Sequence, residues 1–373
     1  QNALTKVSDK AAVLANLAEM SLNQGDEKNA EKAIEELSQT RYPLSRLEWL
    51  RARLLLARGQ WFEAARKLEV IRPDLTNVPD LLKQVDFYLG LCYAQMGNMD
   101  QSLASYSKAA TQDPLWPQAR LARAAAFLEL GRVDDAIEDY RALVTMGKAT
   151  SAVVLDLCRL LILKNLGQPR TQRNWQEVTQ LLSVLEKDPQ VRAQAAVLRA
   201  EIAVADNQPQ EAEKILQQAQ KDNPDRVEVG LARVALDQHR GQFTEAEKLL
   251  QELTAKFGES ADILVTRARL AARAGEQQAK KVFRDIARAA EKLPDQDRQR
   301  VLSVLVGYSI QFSDFDAARQ WCDELSRLAP NNLKVRLLLF DLAIRAQDVA
   351  SLKPVLDEIA RIEGRGPIWH YGE

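Results

Sequence analysis

One interval constrains this sequence more than anything else in it. A glycine or polar turn residue recurs at Gly25, Gly59, Gly97, Gly131, Gly167, Asn207, Gly241, Gly275, Ser313 and Gln347, spaced by 34, 38, 34, 36, 40, 34, 34, 38 and 34 residues. A period of this size means a stack of similar supersecondary units, which escapes the ceiling of roughly 250 to 300 residues on a single closed core. Five positions after the marker stands a small or apolar residue: Ala30, Ala64, Ser102, Ala136, Ala212, Ala246, Ala318 and Leu352. Two units depart from the rule. After Gly167 the equivalent is displaced to Val178, and after Gly275 the position holds Lys280 beside Ala279.

Each unit has one physical reading. A run with apolar residues at helical spacing precedes the marker and another follows it. The marker closes the first helix in the left-handed conformation that glycine adopts without a steric penalty. The small residue lets two antiparallel helices approach closely, and Pro114, Pro224 and Pro330 stop second helices. Each unit is therefore an αα-hairpin, with ten in the chain.

The stretch "YLGLCYAQMGNMDQSLASYSKAATQDP" carries Leu89, Gly90, Tyr93, Gly97, Ser102, Tyr106, Ala109 and Pro114 at set offsets, and the next unit supplies Phe127, Gly131, Ala136 and Tyr140 in matching places. These residues resemble the tetratricopeptide repeat, and the long degenerate array resembles large bacterial proteins of that family. The resemblance implies an all-α, right-handed α-solenoid of about ten helix-turn-helix repeats. The expected division is 1–165 for the N-terminal repeats, 166–173 for an inserted loop ("LGQPRTQR"), 174–364 for the C-terminal repeats, and 365–373 for the start of a truncated further repeat. On this reading further repeats cover the apolar face of the last helix, including Leu352, Leu356 and Ile359, and residues beyond about 330 fray first.

Composition narrows the function. With 51 Lys and Arg against 52 Asp and Glu, and a formal net charge of −1, nothing draws the chain to nucleic acid or an anionic membrane. No apolar run is long enough for membrane insertion. Two histidines, His239 and His370, and three scattered cysteines, Cys92, Cys158 and Cys322, give no metal site, no cofactor site and no catalytic triad. No phosphate-binding or nucleophile-elbow motif occurs. The expectation is a protein without enzymatic activity that needs no cofactor. The three cysteines read as buried spacers and His239 as a surface residue at a helix end.

Two sets of residues stand out. Arg51, Arg123, Arg199, Arg233 and Arg267 occupy one slot of their first helices, where the family pattern has Leu. Like charges about 10 Å apart need carboxylates of the fold or an acidic, extended ligand, and both readings stand. The second set is Trp49, Phe87 and Tyr88, flanked by Arg46, Arg53, Gln84 and Gln95. The resemblance implies that these slots face the concave groove, where aromatic and Arg side chains make a hot-spot composition; ordinary packing between first helices is the other reading. The function that follows is a scaffold holding a protein or peptide segment in that groove. The alternative is a spacer module of a larger envelope, secretion or cell-surface protein. The partner and the compartment are not encoded in these features.

Overall fold

A computed structural model of the chain describes residues 10–364 and 369–370, and among them there are twenty α-helices and no strand. The contacts divide the chain into two units, Gln1–Asp139 with Asn331–Glu373, and Tyr140–Pro330. The first unit holds α1 (Lys10–Asn23), α2 (Glu27–Ser38), α3 (Leu44–Ala57), α4 (Trp61–Ile71), α5 (Pro79–Gln95), α6 (Met99–Gln112) and α7 (Pro117–Glu129), together with α19 (Leu333–Arg345) and α20 (Val349–Glu363). Helix α8 (Val133–Thr145) carries the chain into the second unit. That unit holds α9 (Ser151–Leu166), α10 (Gln176–Leu185), α11 (Arg192–Ala205), α12 (Pro209–Asp222), α13 (Val227–His239), α14 (Phe243–Phe257), α15 (Ala261–Ala274), α16 (Glu276–Ala290), α17 (Asp295–Gln311) and α18 (Phe315–Leu328). The stretch 166–173 lies between α9 and α10 and includes a 3₁₀ turn, Arg170–Gln172.

The turns explain the hairpins. Gly25, Gly59, Gly97, Gly131 and Gly241 have φ between 68 and 75°, and Asn207, Ser313 and Gln347 adopt 60, 55 and 55° at the same place. Two markers differ. Gly167 ends its helix at φ −70°, in ordinary right-handed geometry, because the longer loop after it makes the reversal gradually. Gly275 sits at φ 116° and ψ 157° as a single-residue link between α15 and α16. These are the two units whose small residue is displaced.

Packing at that slot is close in nine of the ten units, while Leu352 of the tenth is half-buried. Ala30, Ala64, Ser102, Ala136, Ala212, Ala246 and Ala318 are all 0% exposed, as is Ala279 in the eighth unit, while Val178 is 1% exposed in the fifth. Lys280 is turned aside to an ion pair with Glu276. A small side chain here allows close approach of the paired helices, and Ser102 also donates its hydroxyl to the Gly90 carbonyl at 2.8 Å. Second helices open with capping residues where the turn provides them: Asn98, Asp314 and Asp348 accept from the amide three residues on. Helices α6, α12 and α18 end two residues before Pro114, Pro224 and Pro330, since the residue before a proline avoids helical geometry.

Candidate partner-binding surface

Within the second unit, successive first helices pack side by side, α9 on α11, α11 on α13, α13 on α15 and α15 on α17. Helices α10, α12, α14 and α16 each pack on their own partner and on the first helix that follows. Side chains along the seam between first helices therefore line one continuous surface.

In the first unit the aromatic set joins α3, α5 and α6. Trp49 of α3 is 4% exposed. The ring of Tyr88 meets it edge-on at 5.4 Å, and the Arg53 guanidinium lies 5.9 Å from its centroid. Arg53 also donates to the Asn23 side chain at 2.7 Å, so it spans α3 and α1. The row continues from Tyr88 to Phe87 at 5.4 Å, then to Tyr106 at 5.5 Å and Trp116 at 4.9 Å. Phe87 and Tyr88 are half-buried, Gln84 is half-buried with its amide on the Asp80 carbonyl, and Arg46 and Gln95 are exposed. Trp49 thus has little surface to offer, and Tyr88 and Phe87 present what remains of the row. Trp116, which completes it, is not singled out by the repeat pattern because it lies in the loop before α7.

The arginine slot turns to acidic residues of the fold. Arg123 forms a two-pronged pair with Asp139 of α8, at 2.8 and 2.5 Å. Arg199 pairs with Glu186 just beyond α10, at 2.6 and 3.0 Å. Arg267 donates to Glu259 at 2.9 Å and to Thr254 of α14 at 3.4 Å. Arg51 pairs with Glu48, which also takes Lys67 of α4, each at 2.6 Å. Desolvation pushes the Glu48 carboxyl up, but the hydrogen bonds from Lys67 and Arg51 outweigh it and hold the group below its ordinary range. Arg233 acts electrostatically on Asp237, whose carboxyl desolvation nonetheless holds above its usual value.

Two buried carboxylates of the first unit escape a reading by repeat slots. Asp86 is 0% exposed and receives Arg72 at 2.6 and 3.1 Å and Gln112 at 2.6 Å. Asp139, 2% exposed, receives Arg120 at 3.1 Å besides Arg123. Each receives three hydrogen bonds from side-chain donors, as buried charges require. The signal in the sequence was an acidic residue at an apolar slot.

The second unit has open clefts. One of about 270 Å³ lies on the seam between α15 and α17, lined by Val265, Arg269, Ser303, Val304, Gly307, Tyr308 and Gln311. Gly307 is exposed in mid-helix, and a Cβ there would meet nothing within 4 Å. On the same line of helices Glu201 of α11 is open to water at its tip yet ringed by protein. That crowding raises its carboxyl, against the pull of Arg159 and Arg269. A second cleft, of about 440 Å³, opens among α14, α15 and α16 beside Arg267.

The reactive groups are placed apart. Cys92, Cys158 and Cys322 are 0% exposed, and burial pushes each thiol up to about 12. His239 is exposed at the end of α13, and His370 is exposed against the edge of Trp369. Among the described residues no group of three His, Cys, Asp or Glu side chains could hold a metal ion, and no helix is long and apolar enough to cross a membrane.

Antiparallel hairpins, most with left-handed turns, a small or apolar residue in the packing slot and side-by-side first helices define the α-solenoid repeat class. Residues 89–151 match the family model of the tetratricopeptide repeat. A tetratricopeptide repeat protein from Parabacteroides merdae has a similar structure, with 16% identity and a TM-score of 0.52 over 70% of this chain and 98% of that one. Yeast Tom70 is similar at 14% identity and a TM-score of 0.45, over 97% of this chain and 87% of its own. Pseudomonas aeruginosa PilF is similar at 18% identity and a TM-score of 0.35, over 72% and 99%. None of the curated proteins matches the sequence. The fold is that of a protein-interaction scaffold.

Proposed function

We propose that the chain is a non-catalytic scaffold whose first-helix seam docks a segment of a partner protein. The observation that carries this reading is the α15–α17 cleft. Gly307 leaves its floor open, the aliphatic carbons of Val265 and Val304 and the ring of Tyr308 supply apolar contact, and Arg269, Ser303 and Gln311 supply donors along the rim. A mixed apolar and polar slot of this kind suits a short extended or helical segment. In the first unit the same role falls to Tyr88 and Phe87, with Arg46, Gln84 and Gln95 around them and with Trp49 and Arg53 behind as support. The arginine slot, where Arg51, Arg123, Arg199 and Arg267 pair with Glu48, Asp139, Glu186 and Glu259, serves the fold in this reading rather than the ligand.

A photo-crosslinking residue at Ser303 tests it in lysate from the native host. Discrete protein adducts are expected there, absent when the crosslinker stands at exposed Lys214 of α12 and lost when Gly307→Phe fills the cleft. Equal capture at the two positions, or capture indifferent to Gly307→Phe, overturns the reading.

A further inference from the structure

We propose that the turn ends of the second, third and fourth hairpins form a docking surface whose ligand is the last hairpin of this same chain, α19–α20, held as a reversible clasp. All the groups involved belong to the first unit. At the second hairpin, the side chain of Asn331 lies on Gly59, with its Cγ 3.4 Å from where a Cβ would be, and Phe62 lies against Gly364 at the end of α20. Trp61, the first residue of α4, packs on Leu333, Ile359 and Ile362. At the third hairpin, Leu333 covers Gly97 so closely that a Cβ would come within 2.9 Å of its Cδ2. At the fourth, Glu129 at the end of α7 receives Lys334 at 2.6 Å. Of the apolar face that the sequence assigns to further repeats, Ile359 is buried in this cluster, Leu356 is half-buried against it, and Leu352 is half-buried.

Three features make the contact reversible rather than fixed. Its apolar centre is small and its edge is polar, since Lys334 and Glu129 remain 69 and 47% exposed and such pairs contribute little. The Trp61 indole N–H is buried without a hydrogen-bond partner among the described residues, and leaving a donor unmet offsets much of what burying the ring contributes. Helix α20 carries Pro354 in its interior, which removes the amide bond to the Ala350 carbonyl, so the helix depends on packing to stay formed. Opening would uncover Trp61, Phe62 and the turns at Gly59 and Gly97 together, as one surface.

Hydrogen exchange on the full chain, read by mass spectrometry, tests the clasp. With the clasp closed, amides of 333–363 are protected, and Trp61→Arg raises their exchange at least tenfold while α5–α6 keep theirs. Lys334→Glu and Glu129→Lys each raise it about two- to fivefold, and the double variant restores the original rate. If Trp61→Arg leaves 333–363 unchanged, or if that segment exchanges freely in the unaltered chain, the proposal is wrong. Should Trp61→Arg loosen α3–α6 as well, the charge exchange decides: recovery in the double variant supports the clasp, and no recovery overturns it.

Discussion

Arg123 of α7 lays its guanidinium along both oxygens of Asp139 on α8, the carboxylate being 2% exposed and Arg120 closing its remaining side. Removing the anion leaves two guanidinia facing each other in a site built for a negative charge. Asp139→Ala is expected to cost about 2 to 3 kcal/mol in urea unfolding. The pair exchange Arg123→Leu with Asp139→Leu, which returns the slot to an apolar residue, is expected within about 1 kcal/mol of the parent. Equal losses in both variants would show that the pair is not a coupled element.

The interior glycines of α5 and α17 make opposite expectations. At Gly90 a Cβ would lie 2.5 Å from the ring of Tyr106, so Gly90→Ala forces the helices apart and should cost about 1 to 3 kcal/mol. At Gly307 the space is open, and Gly307→Ala should stabilise by about 0.5 to 1 kcal/mol through helix propensity alone. Thermal midpoints of the two variants moving in the same direction would contradict the packing described here.

Ser313 holds φ 55° without being glycine. Ser313→Gly relieves the clash of Cβ with the backbone, worth about 1 to 2 kcal/mol, and returns part of it as unfolded-chain entropy. A net gain of about 0.5 to 1 kcal/mol in chemical denaturation is expected; a loss would mean that the hydroxyl contributes more than the turn costs.

Acid should weaken the fold. Hydrogen bonding to Arg141, at 2.7 and 2.5 Å, holds the Glu177 carboxyl below its unfolded value of 4.5, and Lys83 and Ser151 do the same for Asp113 and Asp188 below 3.8. A depressed folded pKa stabilises above the unfolded value and is lost as pH falls through the folded one. Stability measured from pH 6 downward is expected to fall from about 4.5, and Glu177→Gln should flatten part of that slope.

The three thiols, raised to about 12 and 0% exposed, should be inert in the folded chain. Alkylation at pH 8 is expected to proceed only through opening of the structure, speeding with denaturant in parallel with unfolding. Fast labelling of any one of them in the native state would place a reactive site where none is described.

How much of this was legible follows from the range of each interaction. The left-handed turns at Gly97 and Gly241 and the slots at Ala246 and Ser102 are decided within one hairpin, by a φ that glycine tolerates and by the space between two helices joined by a short turn. Such local demands repeat every 34 residues, so the sequence by itself determined the helices, their pairing and the class of fold, and even marked the two irregular units at Gly167 and Gly275. It did not determine which side of α3 holds Trp49 away from solvent, nor that Arg123 turns to Asp139 on α8 and Arg199 to Glu186 just beyond α10, because those choices depend on side-chain packing across helices, which the repeat period does not record. The cleft at Gly307 and the covering of Gly97 by Leu333 were decided only by the tertiary structure. Contacts between distant hairpins leave no period in the chain.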